Sequence, residues 1–567
     1  MSASSKKKLR KEQQALQMTE KQKQEQKEAK KLKIYTVAFV LVMAIVAVAF
    51  VGTLVNRHLE STGFWARHDT VLEVNKHDIN AVELNYFYID AISNQYNTWY
   101  NEYGSSTSFL LAAYMGLDIT QPLNASYYDT EGKVTWADMF ANQAIQDATE
   151  IYTLYDAAKA AGHQMTEEEK QNVDEILHNI EHTATDNGFA DITEYLKYMY
   201  GNGARKSSYR SYLNVTALAN SYRNAHADGI NYTEADYTAY LSEHPNDFAT
   251  FSYTSYQLSV SDFYQGGTKD EATGSTTYSD AEKAAAEAAC KAAADAIQAA
   301  KPANAKDLNA AIANLDIYKN AKPAEGEDTV DIPECSTTND VSFAYLSTYY
   351  KDWLGNAERK TGDFTIVPIT STTENEDGTT TTKTTGYYAV IFEGRNDYVE
   401  NTVTIRHILA DFRNGTTVDG ETTYSDAEKN AAKQRADEVM ALYNATGKTE
   451  DDFAALVETY TADTGSMYNG GLYSHVMEGQ MVEGFNEWIF DANRKSGDCE
   501  IVETEFGYHL IYFVEKDELN YRDYMIDTNM RSEATAAWLE ELVENAKIGE
   551  KDISKLDLDF VISPSSY

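Results

Sequence analysis

Two histidines set inside short apolar runs constrain the fold of this chain more than any other feature. His407 lies in the run TIRHILADF at residues 404–412, and His509 lies in TEFGYHLIYF at residues 504–513. Because successive side chains of a β-strand point to opposite faces, each run predicts a strand with its histidine on one face. Glycine-rich segments and a methionine–phenylalanine pair lie between the runs. Together these features predict a compact domain whose apolar pocket contains two imidazoles.

The order of these features resembles the parvulin family of peptidyl-prolyl isomerases. Besides the histidine runs, the motifs that carry the resemblance are NGGLY at residues 469–473 and EGQMVEGF at residues 478–485. The resemblance covers residues 401–516, and we assign a parvulin domain to residues 398–516. It implies an α+β fold, in which a small antiparallel sheet is flanked by helices. It also implies an enzyme that isomerises X-Pro peptide bonds without a cofactor or a metal ion.

The family's site residues can be carried onto this sequence one by one. Its paired active-site histidines and the polar residues near them fall on His407, Asp463, Thr504 and His509. Its apolar proline-binding residues fall on Leu472, Met481 and Phe485. The resemblance implies that the first group forms a hydrogen-bond network beside the rotating amide. It implies that the second group holds the pyrrolidine ring away from water.

Two departures from the family pattern concern the glycine loop and the choice of substrate. The family usually has an acidic residue between glycine and leucine, whereas here Gly471 is followed directly by Leu472. Parvulins that recognise phosphorylated substrates carry a basic cluster just after the first histidine, and here only Arg413 follows closely. Because a phosphate would meet little positive charge, we expect ordinary, unphosphorylated X-Pro substrates.

The chain also contains a second, divergent copy of this pattern. YSDAEK occurs at residues 278–283 and again at 424–429, each time before an alanine-rich stretch that predicts a helix. DWLGNAERKTGDFTIV at residues 352–367 parallels EWIFDANRKSGDCEIV at residues 487–502. A repeat of this length indicates duplicated structure. We therefore expect residues 249–397 to form a degenerate parvulin-like domain.

The upstream copy lacks the residues that the resemblance assigns to catalysis. When the two copies are aligned, Gln257 takes the place of the first histidine and Tyr388 takes the place of the second. We therefore expect this copy to bind clients, or to space the active domain, rather than to catalyse. Its two threonine-rich insertions, at residues 265–277 and 370–385, predict mobile surface loops.

An uncharged segment near the start of the chain predicts a single transmembrane helix. Residues 34–55 are 22 uncharged residues, which is long enough to cross a membrane. Residues 1–33 contain eleven Lys/Arg against four Glu, so the positive-inside rule places this basic segment in the cytoplasm and the rest outside. A cleaved signal peptide is the alternative, although the apolar run is longer than a normal signal core.

The charge of the chain excludes one class of partner. The whole chain carries −41 and residues 1–33 contribute +7, so the remainder carries about −48. A body with this charge repels polyanions, and we expect it to bind no nucleic acid.

Residues 70–247 predict a mainly helical domain that begins with a short strand. The order of a short strand, several helices and then a parvulin domain resembles the PrsA- and SurA-type foldases, in which the helical part is a chaperone domain. In that family the end of the chain returns to pack on the N-terminal part. The resemblance implies the same return for residues 517–567.

The expected function is that of an extracytoplasmic foldase of a Gram-positive bacterium, held in the cell membrane by one helix. Such a protein would bind unfolded, exported polypeptides and isomerise their X-Pro bonds. A holdase chaperone without catalysis and a surface scaffold that reuses parvulin folds are the alternatives. The sequence does not determine the oligomeric state, and a homodimer is compatible with it.

Overall fold

The computed structural model describes residues 3–129, 131–271, 273–319, 321, 329–374, 378–418, 421–556, 558 and 560–562. Over these residues the protein is of mixed α+β class, with a helical N-terminal region followed by antiparallel sheets. The chain divides into two compact units. We call residues 1–230 together with 531–567 the terminal unit, and residues 231–530 the central unit.

The helices and strands have the following bounds. The helices are α1 (Ala3–Ser61), α2 (Phe64–His68), α3 (Ala81–Tyr103), α4 (Thr107–Met115), α5 (Trp136–Ala161), α6 (Glu167–Asp186), α7 (Ile192–Tyr200), α8 (Lys206–Asp228), α9 (Glu234–Glu243), α10 (Asp280–Ala300), α11 (Ala305–Ala313), α12 (Asp316–Lys319), α13 (Lys351–Leu354), α14 (Asp426–Asn444), α15 (Glu450–Tyr460), α16 (Glu483–Ile489) and α17 (Tyr521–Glu544). The strands are β1 (Thr70–Val74), β2 (His77–Asn80), β3 (Thr250–Ser259), β4 (Thr268–Lys269), β5 (Thr276–Thr277), β6 (Ser336–Ser342), β7 (Phe364–Glu374), β8 (Thr380–Asn396), β9 (Asn401–Asp411), β10 (Thr416–Val418), β11 (Glu421–Thr423), β12 (Leu472–Val476), β13 (Cys499–Glu503), β14 (Gly507–Asn520) and β15 (Ile548–Lys551).

The first helix runs without a break from Ala3 to Ser61. Within it, residues Leu41–Ser61 form a segment that is long and apolar enough to cross a membrane, judged by length and composition. Residues 34–55, where the sequence predicts the crossing, lie in the same helix. A turn at Gly63, with φ at 66°, leads from this helix to α2.

The terminal unit is built on the packing of α3, α5 and α8 beside a small sheet. Its core is rich in aromatic side chains, and Tyr86, Tyr88 and Phe140 are fully buried. The sheet has the order β15-β1-β2, so its first strand comes from the end of the chain. The N–H of Asn75 donates to the Lys547 carbonyl at 2.7 Å, and the N–H of Lys547 donates to Oδ1 of Asn75 at 3.0 Å. The C-terminal strand is therefore part of the N-terminal fold.

The central unit contains two four-stranded antiparallel sheets with matching strand order. The upstream sheet has the order β6-β3-β8-β7, and the downstream sheet has the order β12-β9-β14-β13. Helix α10 packs against the upstream sheet and α14 packs against the downstream one. The sequence repeat thus corresponds to two sheets of the same topology, each with a helix on one face.

The YSDAEK motif starts a helix in both copies for a local reason. Ser279 accepts a hydrogen bond from the backbone N–H of Glu282, whose carboxylate accepts one from the serine N–H. Ser425 and Glu428 repeat this arrangement. Such a capping box satisfies backbone N–H groups that the first turn of a helix leaves free. The motif therefore fixes where α10 and α14 begin.

The strand register corrects one assignment made from the sequence. In the downstream sheet, the residue opposite His509 lies two positions after His407. In the upstream sheet, the residue opposite Tyr388 is Gln257 itself. If Tyr388 takes the place of His509, the residue in the place of His407 is therefore Ser255. Aligning Gln257 with His407 was wrong by two residues, because a shift of two keeps every side chain on its predicted face.

The threonine-rich insertions are also more ordered than the sequence predicts. Apart from one irregularity between Ile369 and Thr370, strands β7 and β8 pair as far as Glu374 and Thr380, which places most of residues 370–385 in a two-stranded ladder. Strands β4 and β5 form a short hairpin within residues 265–277. Residues 272 and 375–377 lie outside the described part of the chain. Threonine is β-branched and favours extended backbone, which explains why these polar runs form strands.

Candidate active site

The two predicted histidines meet on one face of the downstream sheet. His407 lies on β9 and His509 on the adjacent antiparallel strand β14. Their Nδ1 atoms are 3.2 Å apart, within hydrogen-bond distance. The imidazole planes are nearly parallel, with an angle of 17° and ring centroids 5.4 Å apart. Both side chains are buried, so this polar contact is shielded from water.

Asp463 holds the outer nitrogen of the first histidine. Its Oδ2 lies 2.9 Å from Nε2 of His407 and 3.0 Å from the hydroxyl of Tyr473, which donates to it. The Ser466 hydroxyl also donates to Oδ2, and the N–H of Gly465 donates to Oδ1 at 3.1 Å. The hydrogen bond from His407, followed by that from Ser466, holds the pKa of this carboxyl well below its usual range, although burial opposes the shift.

Thr504 holds the outer nitrogen of the second histidine. Its Oγ1 lies 2.9 Å from Nε2 of His509. The N–H of Thr504 donates to the Gly507 carbonyl at 2.8 Å, and this hydrogen bond holds the loop that carries the threonine. Burial lowers the pKa of His509 to about 3, because a second imidazolium beside His407 would be unfavourable as well as poorly hydrated, while Asp463 acts in the opposite direction. His509 is therefore neutral near pH 7.

These contacts are satisfied by one arrangement of the network's protons. An ionised carboxylate only accepts hydrogen bonds, so Nε2 of His407 carries the hydrogen that faces Asp463. We assign a hydrogen to Nδ1 of His509 and a lone pair to Nδ1 of His407, because a neutral His509 then accepts the Thr504 hydroxyl. The chain of donors runs from Thr504 through both histidines to Asp463. Such a chain polarises each of its members.

An apolar cavity lies beside this network. It has a volume of about 340 Å³, and its walls include both histidines and Asp463 as well as Leu409, Tyr473, Gln480, Met481, Val482, Phe485 and Phe506. The ring of Phe485 stands edge-on to both imidazoles, with centroid distances of 5.6 and 5.1 Å. Phe485 is itself buried, while Phe506 at the rim is 56% exposed. The cavity therefore joins an apolar wall to a polar one.

Six of the seven site residues proposed from the sequence are thus brought together. Met481 and Phe485 line the cavity with His407, His509 and Asp463, and Thr504 is hydrogen-bonded to His509. The exception is Leu472, which is not among the residues that line the cavity. Tyr473 lines it instead. Neighbouring residues of β12 point to opposite faces, so the side chains of Leu472 and Tyr473 do not both face the cavity.

Sequence analysis missed two residues of the network, Ser466 and Tyr473. Ser466 follows Asp463 by three residues in the motif TADTGS, a spacing at which a hydroxyl can turn back to a carboxylate. The alternation of β12 could have indicated Tyr473, because it is the residue whose side chain faces the histidine strand on the cavity side. Both residues donate to Asp463 and so help to keep it ionised.

The comparison with known protein families agrees with this geometry. Residues 388–517 match the family model described as the PPIC-type PPIase domain. This segment is a parvulin-type PPIase domain. The prediction of a parvulin domain related to PrsA and SurA proteins is confirmed, and the PPIase domain contains the whole network and cavity described above.

The similar proteins are foldases and chaperones. The foldase protein PrsA 3 of Bacillus anthracis is 34% identical over 119 residues, which is 19% of this chain and 41% of that protein. The chaperone SurA of Methylococcus capsulatus is 31% identical over 108 residues, which is 17% of this chain and 23% of that protein. The crystal structure of PrsA from Bacillus subtilis is 14% identical, with a TM-score of 0.25 over 77% of this chain and 98% of that one. This chain spans less than half of the length of the PrsA 3 and SurA relatives.

Proposed function

We propose that the protein is a foldase that binds unfolded polypeptides and isomerises their X-Pro bonds in the PPIase domain. The observation that carries this proposal is the buried pair of hydrogen-bonded imidazoles, His407 and His509, at the polar wall of an apolar cavity. An X-Pro bond rotates across a barrier of about 18–20 kcal/mol. Uncatalysed, this takes tens to hundreds of seconds, which is slow enough to limit folding.

The cavity supports a mechanism that needs no covalent bond. Met481 and Phe485 would hold the pyrrolidine ring, and their apolar surface would exclude water from the rotating amide. A site that binds the twisted amide more tightly than either planar form lowers the barrier. The donor chain from Thr504 to Asp463 would hold both imidazoles in fixed tautomers while the substrate carbonyl swings past them. No proton has to leave the substrate, so neither histidine serves as a general base.

The upstream sheet is proposed to be a degenerate copy without catalytic activity. Ser255 and Tyr388 occupy the positions of the two histidines. The space beside them is filled by tyrosines: the Tyr350 ring lies edge-on to Tyr388 at 5.3 Å, and its hydroxyl lies 3.4 Å from that of Tyr253. Packing of this kind leaves the copy with neither the imidazole pair nor the apolar seat, which favours a role in client binding.

The remaining parts of the chain fit an extracytoplasmic foldase. We propose that the apolar segment of α1 anchors the protein in the membrane, with residues 1–33 in the cytoplasm and everything after it outside. Residues 70–247 would form the chaperone domain, completed by the C-terminal segment 517–567, with 249–397 and 398–516 as the two parvulin-like domains. The relatives are described as a foldase and a chaperone, which supports unfolded polypeptides as partners.

The test is the exchange of a short Ala-X-Pro-Phe peptide between its cis and trans forms, measured by NMR with the full chain in a mild detergent. We expect acceleration by the wild type. His407→Ala breaks the donor chain and Met481→Ala removes apolar contact, and each is expected to lower kcat/KM about tenfold or more. A folded wild type without any acceleration would overturn the catalytic proposal and leave a holdase chaperone.

A second prediction separates the two neighbouring residues of β12. Tyr473→Ala removes a wall of the cavity and a donor to Asp463, and it is expected to lower kcat/KM about tenfold. Leu472→Ala changes a side chain outside the cavity walls and is expected to change kcat/KM by about twofold at most. The same peptide exchange assay measures both variants. A larger loss for Leu472→Ala would show that the proline seat lies on the other face of β12.

A further inference from the structure

A second cavity of about 580 Å³ lies beside the catalytic one. Its walls include Asp340, Tyr398, Glu400, Met477, Glu478 and Gln480. Asp340 comes from β6 of the upstream sheet, and Met477 to Gln480 form the turn between β12 and α16 of the PPIase domain. The cavity is therefore built jointly by the two sheets of the central unit.

The turn at residues 477–480 makes the two cavities neighbours. Gln480 belongs to the walls of both. Its N–H donates to the Met477 carbonyl at 3.2 Å, and its Oε1 accepts from the Met477 N–H at 3.0 Å. The N–H of Gly479 donates to Asn486 on α16, the helix that also carries Phe485. A hydrogen-bonded turn thus separates the two cavities, and Asn486 links this turn to the helix that carries Phe485.

An extended peptide with its proline in the first cavity can run past this turn on one side. Each residue of an extended chain advances about 3.3 Å. Residues only a few positions from the proline would therefore reach the second cavity, which then acts as a subsite for the sequence that flanks the X-Pro bond.

The charge of the second cavity selects what can bind there. Asp340, Glu400 and Glu478 are exposed, and none of them forms an ion pair with a described residue. Tyr398 and Met477 are half-buried and contribute apolar surface to the same cavity. A lysine or arginine side chain matches both features, because its aliphatic stem packs on apolar surface while its charged end stays near water and carboxylates.

We infer that this cavity is a subsite for a Lys or Arg side chain of the polypeptide substrate, located a few residues from the isomerised proline. The inference rests on the proposed isomerase function and gives it a preference in substrate sequence. It also gives the upstream sheet a part in catalysis by the downstream one, since Asp340 would contact the substrate. An acidic or phosphorylated flank would be repelled by the same three carboxylates.

The experiment compares peptides that differ by one charge. Each peptide contains Ala-Pro-Phe, with either lysine or norleucine placed two, three or four residues away on each side, and NMR measures exchange by the full chain. Norleucine keeps the aliphatic stem without the ammonium group. At low salt we expect one position at which lysine raises kcat/KM about fivefold over norleucine. This ratio should approach one at high salt, where the Debye length falls to about 3 Å at 1 M.

Two triple variants each remove three negative charges, one from the second cavity and the other from a separate surface. Combining Asp340→Asn, Glu400→Gln and Glu478→Gln is expected to reduce the lysine-to-norleucine ratio to below twofold. The control combines Glu438→Gln, Asp451→Asn and Glu458→Gln on the exposed surface of α14 and α15, and it should leave the ratio near fivefold.

The possible results separate the two proposals. Equal acceleration of lysine and norleucine peptides at every position would overturn the subsite while leaving the isomerase intact. A preference that both triple variants reduce equally would also overturn it, because the effect would then come from overall charge. No acceleration of any peptide would contradict the isomerase itself.

Discussion

Gly471→Ala is expected to destabilise the PPIase domain by about 3 kcal/mol and to abolish most of its activity. Gly471 has φ at +73°, in the left-handed region that L-residues rarely adopt. A Cβ at this position would lie 2.4 Å from the His407 carbonyl oxygen and 3.1 Å from the His407 nitrogen. Neither backbone atom can move without displacing the strand that carries His407. The absence of a side chain here is therefore a condition for building the site.

Gly479 provides the matched control for this substitution. It also has a positive φ, +85°, but a Cβ there would meet no atom within 4 Å. Gly479→Ala should therefore carry only the conformational cost, about 1 kcal/mol. Urea unfolding can be followed by fluorine NMR of fluorotryptophan at Trp488, which packs in the same apolar cluster as Phe485. Equal losses for the two variants would contradict the proposed clash with His407.

The PPIase domain is expected to lose stability between pH 6.5 and pH 3, by about 3–5 kcal/mol, because of His509. An unfolded histidine titrates near pH 6.5, whereas burial lowers the pKa of His509 in the fold to about 3. Above pH 6.5 the residue is neutral in both states and has no effect. As the pH falls below this value, the unfolded chain takes up a proton that the folded domain refuses. Stability then falls by up to about 1.4 kcal/mol per pH unit.

Substitution of His509 tests this directly. His509→Gln cannot take up a proton, so its unfolding free energy should fall less steeply from pH 6.5 to pH 4 than that of the wild type. Asp463 acts in a separate window, because its lowered pKa stabilises the fold above about pH 3.9 and this stabilisation is lost only below that value. Identical slopes for the wild type and His509→Gln would contradict a buried neutral imidazole.

Much of the polar network could be anticipated because a strand has a simple period. The runs around His407 and His509 alternate, so each sequence indicates which side chains share a face with its histidine. The contact between them then requires only that the two strands be neighbours, which the family resemblance implies. The starts of α10 and α14 could also be predicted, because the YSDAEK motif contains the serine and the glutamate of each capping box.

The features that could not be predicted depend on register. Leu472 and Tyr473 differ by one position, and one position reverses the face of a strand. Ser255 and Gln257 differ by two, which leaves the face unchanged and therefore leaves no trace in the hydrophobic pattern. The second cavity depends on how two sheets from distant parts of the sequence meet, and no local pattern encodes such a meeting.

The pairing of β15 with β1 has a consequence for how this protein is made. A chain that emerges from a ribosome or a membrane from its N-terminus presents β1 several hundred residues before β15. Until residues Ile548–Lys551 arrive, the β1 edge that they cover has no strand partner, and open edges attract other extended chains. The central unit has no such dependence within its two sheets and can complete them first. A protein proposed to assist the folding of others thus completes its own N-terminal sheet last.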